Sequence, residues 1–227
     1  MFLDPRAPKA VREAMWALGF DTIELPPYAK LQSPVACHPD LLLHDLGGKL
    51  LVYRDYYEAN RELFADLPMV PTDYVAGQAY PRDIGMDALV LGDKVLCLPE
   101  YTCPEMMEQR RVVPVRQGYA ACAALKVSDN AIVTADPAIA TAAESCGVTV
   151  LKIRPGHIVL DGYDYGFIGG TAFMVEDALY FAGDLFLHPD GKAIADFCAE
   201  QGVTCHSLVK NMMLYDLGFL KYNKKSM

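Results

Sequence analysis

The sequence predicts an α/β fold, a five-fold pseudo-symmetric α/β propeller of ββαβ repeats, and three observations lead to this prediction. Hairpin-like pairs of apolar segments recur along the chain at intervals of roughly 35 to 50 residues. Each pair is followed by a helix-like segment and then by a short apolar strand. Two strands therefore precede each helix, whereas a two-layer or doubly wound α/β sandwich, the alternative, would alternate strands and helices one to one.

Four segments are typical of β-hairpins, because two apolar runs flank a short turn in each. The segments cover residues 37–53, 80–98, 119–134 and 166–183, with turns at Gly47-Gly48, Gly92-Asp93, Ser128-Asp129 and Glu176-Asp177. Gly-Gly and Gly-Asp suit two-residue hairpin turns, while Ser-Asp and Glu-Asp fit them less well. A weaker fifth hairpin is predicted over residues 211–222.

The helix of the third unit has the clearest boundaries. Asp136 is a good N-cap, Pro137 suits the first helical position, and Gly147 is placed to end the helix. A helix over 4–20 and a strand over 21–25 would serve the fifth hairpin. We therefore expect a single domain, residues 1–227, whose ring is closed by the N-terminal helix and strand and the C-terminal hairpin.

Composition and charge restrict the classes of partner. The net charge is -9, which argues against a nucleic-acid partner, because proteins that bind nucleic acid carry basic patches. A small cationic metabolite is a candidate ligand, although acidity that only aids solubility explains the charge equally well. The N-terminus is charged and no apolar stretch approaches the length of a membrane span. We therefore expect a cytoplasmic protein without membrane contact.

The seven cysteines form no CxxC pair, which favours free thiols in a reducing compartment. No zinc-binding spacing, phosphate loop or GxSxG motif is present. The sequence therefore predicts no metal and no cofactor, and it is compatible with a monomer or a homodimer.

Hairpin, helix and strand units of this kind, together with the segments GYAACAALKVSDNAIVTAD and PGHIVLDGYDYGFIGG, resemble an uncharacterised branch of the guanidino-group-modifying (pentein) fold, known as a domain of unknown function. The resemblance implies a central channel lined by the first strand of each hairpin. Enzymes of this superfamily place a Cys nucleophile, a His acid/base and guanidinium-binding carboxylates at one mouth of the channel.

The usual catalytic positions of the superfamily are not matched. Phe167 and Gly169 stand where a late HxD motif is expected, and the C-terminal segment KNMMLYDLG has no Cys. An HxD does occur early, as His38-Pro39-Asp40, and Cys122 lies on a predicted channel strand. Cys122 is therefore the candidate nucleophile and His38 the candidate acid/base. The alternatives are a buried, inert Cys and a His that caps a strand end.

Further polar residues are candidates for substrate binding. Asp40 and Asp83 stand at predicted strand starts, where solvated turn carboxylates are also common, and Gln117 and Asn211 are additional candidates. In the segment 154–170, His157, Asp161 and Asp164 could face the channel mouth, with Tyr163 or Tyr165 stacking on a planar cation. A glycine-rich turn around a bulge is the alternative for this segment.

Two functions follow from these candidates. The first is a hydrolase or deiminase-like enzyme that acts on a guanidino or amidino small molecule by thiolate chemistry. The second is a non-catalytic pentein-fold protein that binds a small molecule or a protein through the channel mouth. The distance of the Cys122 sulfur from the channel His and carboxylates discriminates between them.

Overall fold

The computed structural model describes residues 1–220, and four of its sheets share one plan. In each, an antiparallel hairpin is joined, on the side of its second strand, by a parallel strand that follows a helix. The first two units comprise β3 (Leu43–Asp45), β4 (Leu50–Tyr53), α3 (Arg54–Ala59) and β5 (Met69–Thr72), then β6 (Leu89–Leu91), β7 (Lys94–Cys97), α4 (Pro104–Met107) and β8 (Arg111–Pro114).

The next two units repeat this plan. They comprise β9 (Ala124–Ser128), β10 (Ala131–Thr134), α5 (Pro137–Ser145) and β11 (Thr149–Lys152), then β13 (Ala172–Val175), β14 (Ala178–Phe181), α6 (Gly191–Glu200) and β15 (Thr204–Ser207). All four strongly predicted hairpins are present. The third turn is displaced by one residue, since Ser128 still pairs with Ala131 and the turn is Asp129-Asn130.

The N-terminal unit differs from its prediction. β1 (Phe2–Leu3) and β2 (Ile23–Glu24) form a parallel pair with α1 (Lys9–Ala17) between them, and Phe2 also makes an antiparallel bridge to Leu220. The order of strands is that of the other units, but β1 takes the place of a second hairpin strand. The prediction of a hairpin over 211–222 is wrong for its described part, and residues 221 and 222 lie outside the described residues.

Of two further short strands, one was not predicted and the other lies within the predicted hairpin 211–222 but has a different partner. β12 (Ile158–Val159) pairs in parallel with β16 (Leu214–Tyr215) as a separate two-stranded sheet. This pairing ties the segment before the fourth hairpin to the segment that leads to Leu220. A short helix, α2 (Pro39–Leu42), precedes the first hairpin directly.

Local sequence accounts for the best-defined helix. The Asp136 side chain accepts hydrogen bonds from the backbone N–H groups of Ala138 and Ile139, which would otherwise be unpaired at the start of α5. Gly147 then takes a positive φ of 84° after the last turn. The helix is therefore capped at both ends by the residues that predict it.

The core lies between the sheets and the helices. All four residues of β4 and of β10 are buried, and the inner faces of α1, α5 and α6 are buried as well. Strands that are apolar on both faces occur where both faces are covered. Within residues 1–220, no helix is both long and apolar enough to cross a membrane. The fold is a mixed α/β arrangement of sheets that do not join into one closed sheet.

Candidate functional site

The segments that lead into the first hairpin strands meet at the centre of the molecule. Cys122, two residues before β9, donates its thiol hydrogen to Oδ2 of Asp40 at 3.1 Å. Asp87, two residues before β6, accepts the backbone N–H groups of Ala121 and Cys122 in Oδ1 at 2.6 and 3.0 Å. Three units thus contribute a polar side chain to one cluster.

Gly170 and Gly218 allow their segments of the backbone to lie very close to the carboxylates of Asp216 and Asp40. A Cβ atom at Gly170 would lie 1.8 Å from Oδ1 of Asp216, and one at Gly218 would lie 2.3 Å from Oδ1 of Asp40. Gly218 also has a positive φ of 57°, and its carbonyl accepts the N–H of Asp40 at 3.0 Å. A side chain at either position would displace a carboxylate of the cluster.

The surroundings of the three carboxyl groups in the cluster raise their pKa values. Burial raises the pKa of Asp216 to about 6, and the nearby charge of Asp40 adds to the effect of burial. Burial likewise raises the pKa of Asp40 to about 6. The pKa of Asp87 lies well above its usual value because of burial and then because of the charge of Asp40. Burial and nearby negative charges both disfavour the ionised form of a carboxyl group and so raise its pKa.

His38 lies beside the same cluster and is almost fully buried, at 3% exposure. Its Nε2 is 3.7 Å from Oδ2 of Asp4, and its Nδ1 is 4.0 Å from Oδ1 of Asp216. Burial lowers the pKa of His38, although both carboxylates oppose this effect. Arg6 fixes Asp4 through its Nε at 2.8 Å. The imidazole is therefore held between two carboxylates.

The surroundings of Cys122 favour its thiol over its thiolate. Burial raises its pKa well above the usual value, and the charges of Asp40, Asp87 and Asp216 raise it further. A thiol in this state donates a hydrogen bond and is a poor nucleophile. A positive charge brought next to the sulfur would act in the opposite direction and favour the thiolate.

Several buried oxygens of these carboxylates have no hydrogen-bond partner within residues 1–220. They are Oδ1 of Asp40, Oδ2 of Asp87 and, at a neighbouring position, Oδ1 of Asp83. Most buried polar atoms in proteins are paired, so such an orphan needs an explanation. Acceptor atoms without donors fit a ligand that carries several N–H groups. Within the same residues, no group of three or more His, Cys, Asp or Glu side chains is arranged to hold a metal ion.

A cavity of about 270 Å³ opens onto this cluster. Its lining residues are Val35, His38, Leu41, Tyr119, Cys122, Leu160, Tyr163, Asp164, Tyr165, Phe167 and Asp216. Asp40 lies behind Cys122 and faces a second cavity on the side of the hairpin turns. The hydrogen bond between Cys122 and Asp40 therefore separates the two cavities.

A family model covers almost all of the described residues. The model of a family of unknown function (DUF6873) matches residues 2–220. The chain belongs to this family. A search of curated proteins found no relative.

Solved structures resemble the chain at low sequence identity. The DDAH of Pseudomonas aeruginosa in complex with citrulline is 14% identical, with a TM-score of 0.53 over 89% of this chain and 80% of that one. A dimethylarginine dimethylaminohydrolase adduct with S-methyl-L-thiocitrulline is 13% identical, with a TM-score of 0.52 over 89% and 81% of the two chains. The DUF6873 chain therefore has a pentein-type fold, as predicted.

An agmatine deiminase of C. jejuni is a third similar structure. It is 12% identical, with a TM-score of 0.49 over 71% of this chain and 61% of that one. The chain therefore spans less than two thirds of the length of that enzyme.

The structure brings some of the predicted site residues together. Cys122 and His38 line the same cavity, Asp40 contacts Cys122, and Asp164 lies at the exposed edge. Asp83 is fully buried and accepts a hydrogen bond from the hydroxyl of Tyr119, which lines the cavity. Asp83 is therefore not a solvated turn carboxylate, because it is buried.

Four other predicted residues do not line the cavity. Asp161 accepts a hydrogen bond from the Tyr215 hydroxyl, and Gln117 donates to Asp136 at 3.1 Å beside a neighbouring cavity. The ring of His157 packs 5.7 Å from that of His188, and the backbone N–H of Asn211 donates to Asp184. Of the three polar candidates in the segment 154–170, only Asp164 therefore lines the cavity.

Sequence reasoning missed Asp87, Asp216 and Asp4. A signal for Asp87 was present, because it precedes its strand by two residues, as Cys122, Gly170 and Gly218 precede Ala124, Ala172 and Leu220. Aligning the repeats on their turns did not reveal this shared position, because the number of residues between it and the turn differs from unit to unit. Asp216 and Asp4 had no comparable signal, because their place depends on how the two ends of the chain meet.

Proposed function

We propose that the protein is a hydrolase that acts on the guanidino or amidino group of a small cation, with Cys122 as nucleophile. The observation that supports this best is the 3.1 Å hydrogen bond from the Cys122 thiol to Asp40 beside a ligand-sized cavity. A carboxylate in this position accepts the thiol proton as the sulfur attacks. The distance from the Cys122 sulfur to Asp40 Oδ2 is a hydrogen-bond distance, so Asp40 can act as a general base without movement of either residue.

The Asp216 carboxylate binds and orients the cation, because it borders the cavity. Asp40, which faces the second cavity, and Asp87, which lines neither cavity, attract the cation through their charge. A guanidinium group offers several coplanar N–H donors, and charge-assisted hydrogen bonds to carboxylates are the strong ones. The positive charge also lowers the pKa of Cys122 and Asp40, so the cation promotes its own attack by the thiolate.

The reaction uses water and no redox step. The Cys122 sulfur bonds to the central amidino carbon while its proton passes to Asp40, and Asp40 gives this proton to the amine or ammonia as the C–N bond breaks. Water then attacks the carbon, neutral His38 takes a proton from it, and this proton returns to the sulfur as the C–S bond breaks and the thiol is restored. The products are a urea or amide and an amine, which balances the addition of one water molecule. His38 with a lowered pKa is suited to accept that proton.

A ring of five units is the architecture that supports this site. The N-terminal unit has the strand order of the other four, and Gly218 approaches Asp40 closely enough to place it next to the first unit. We extend the proposal to a single domain, residues 1–227, closed between its two ends.

A second candidate function is binding without turnover. It is favoured by the raised pKa of Cys122 and by the contribution of this residue to the buried apolar core. In that case the carboxylates would hold the cation, and the thiol would only fill space beside it. The two functions predict the same ligand and differ in the fate of its carbon–nitrogen bond.

The experiment is a turnover assay with a panel of guanidines and amidines, in which ureido product and released amine are both measured. Cys122→Ser should abolish turnover and keep ligand binding, while Cys146→Ser, a control at a half-buried thiol at the end of α5, should leave the rate unchanged. Binding without product in the native protein would establish the second function. Turnover that survives Cys122→Ser would refute thiolate chemistry.

A further inference from the structure

The cavity beside Cys122 has a polar floor and an aromatic mouth. Its deepest residues, Cys122, His38 and Asp216, are 4%, 3% and 2% exposed, whereas Tyr163 and Tyr165 are 42% and 47% exposed. A cation bound at the floor would therefore direct its substituent along the wall and out between the two tyrosines.

The wall between floor and mouth is apolar. Tyr119 and Phe167 stand next to each other, with ring centroids 6.1 Å apart, and aliphatic side chains complete the wall. These aliphatic residues are Val35, Leu41 and Leu160. The Tyr163 hydroxyl donates to Gln32 at 3.0 Å, which fixes one ring of the mouth. A flat apolar substituent would find aromatic faces on its way out.

Among residues 1–220, no Lys or Arg side chain lines this cavity. Two arginines border the adjoining cavities, but both are engaged. Arg6 is bound to Asp4 and to the Ser33 carbonyl, and Arg154 binds Asp190 through Nε at 3.1 Å and Nη2 at 2.7 Å. A carboxylate on the ligand would therefore find no free Lys or Arg side chain of residues 1–220 in this cavity.

The charge at the mouth is negative. Asp164 is exposed at the edge of the cavity and makes no hydrogen bond or ion pair with a residue of the described part of the chain. A ligand carboxylate between the floor and the mouth of the cavity would lie between two acidic residues, Asp216 at the floor and Asp164 at the mouth. Like charges in a partly desolvated cavity repel each other strongly.

We propose that this cavity selects guanidines and amidines whose substituent is aromatic or otherwise apolar, and that it rejects guanidino acids such as arginine. This inference depends on the proposed function in one respect only, which is that the cationic group binds next to Cys122. Aromatic stacking and cation–π contact favour the accepted class, and the absence of a counter-cation excludes the other. The small volume restricts the substituent to about one ring with a short linker.

Binding to the full-length Cys122→Ser protein tests this selectivity without interference from turnover. The probes are benzylguanidine, L-arginine and benzyl alcohol, measured by isothermal titration calorimetry. Benzylguanidine should bind at least about tenfold more tightly than arginine, and benzyl alcohol should bind weakly because it lacks the cation. Arginine binding as tightly as benzylguanidine would overturn the proposal, and so would the failure of both to bind.

Two variants in the Cys122→Ser background locate the selectivity. Tyr165→Ala should weaken benzylguanidine binding several-fold, whereas Phe186→Ala, a control at an exposed aromatic residue, should not change it. Asp164→Arg should strengthen arginine binding and so reduce the preference for benzylguanidine over arginine. Glu200→Arg, an exposed control at the end of α6, should change neither. An unchanged preference in both cavity variants would contradict the assignment.

The failure of this inference can be told apart from the failure of the proposed function. If benzylguanidine binds selectively to the Cys122→Ser protein but the native protein never hydrolyses it, the selectivity stands and the hydrolase proposal fails. If the native protein hydrolyses arginine faster than benzylguanidine at equal concentration, the hydrolase proposal stands and the selectivity is overturned.

Discussion

Replacing Asp216 by Asn should make the protein more stable at neutral pH, although it removes a group of the candidate site. Asp216 is 2% exposed, and its pKa rises from the ordinary 3.8 to about 6. Because the folded state holds this proton more tightly than the unfolded state, ionisation of Asp216 opposes folding. The opposition is absent below about pH 4 and complete above about pH 6.

The difference between the two pKa values corresponds to about 3 kcal/mol at pH 8. The carboxylate also accepts the backbone N–H groups of Phe167 at 2.8 Å and Gly218 at 3.2 Å. Asn can accept only one of them well, and a lost bond to a charged group costs about 1.5 kcal/mol. We therefore expect a net gain of about 1–2 kcal/mol for Asp216→Asn at pH 8.

The assay is urea unfolding of the native protein and the variant near pH 5 and near pH 8. The advantage of Asp216→Asn should appear near pH 8 and largely vanish near pH 5, where about half of the opposition to folding remains and only offsets the lost hydrogen bond. Asp164→Asn, an exposed carboxylate at the same cavity, should change stability by less than about 0.5 kcal/mol at either pH. A variant that is less stable near pH 8, or equally displaced at both pH values, would refute the reasoning.

Three further changes test other parts of the structure. Gly170→Ala should destabilise the fold by about 1–3 kcal/mol in urea unfolding, because its Cβ would lie 1.8 Å from Oδ1 of Asp216; unchanged stability would contradict the packing described. Asp136→Ala should cost about 1 kcal/mol in the same assay, since α5 loses its N-terminal cap. Asp40→Asn should accelerate iodoacetamide labelling of Cys122 near pH 8, read by peptide mass spectrometry against the other cysteines, because loss of that charge lowers the pKa of the thiol. Slower labelling in this variant would show that Asp40 activates the thiol in the unliganded protein.

Most of the fold follows from local sequence. Gly47-Gly48 and Gly92-Asp93 mark hairpin turns because few residues other than glycine adopt the conformation that these turns require. Asp136 and Gly147 bound α5 for equally local reasons. The two-residue strands β1 and β12 were missed, and β16 was given the wrong partner, because such short segments carry no periodic pattern and exist only through pairing with distant parts of the chain.

The candidate site was less accessible to sequence reasoning. Cys122 and Asp40 were both proposed, but nothing local indicated that a thiol and a carboxylate from different units would touch. Asp216 was missed for the same reason, since an isolated Asp is usually a solvated residue, whereas Asp87 was missed because the repeats were aligned on their turns. The raised pKa values that make them conspicuous come from burial among other carboxylates, which is a property of the assembled centre.

The contact between Asp40 and Gly218 has a consequence for how the protein is made. The backbone N–H of Asp40 donates to the carbonyl of Gly218, although the two residues are far apart in sequence. During synthesis the early units can form their local hairpins in turn, but the cluster around Asp40 lacks this partner until residue 218 has left the ribosome. Contacts of such long range are slow to close. The nascent chain therefore carries Cys122 in an incompletely enclosed site, and a chain arrested before Gly218 should leave that thiol open to solvent and to oxidants.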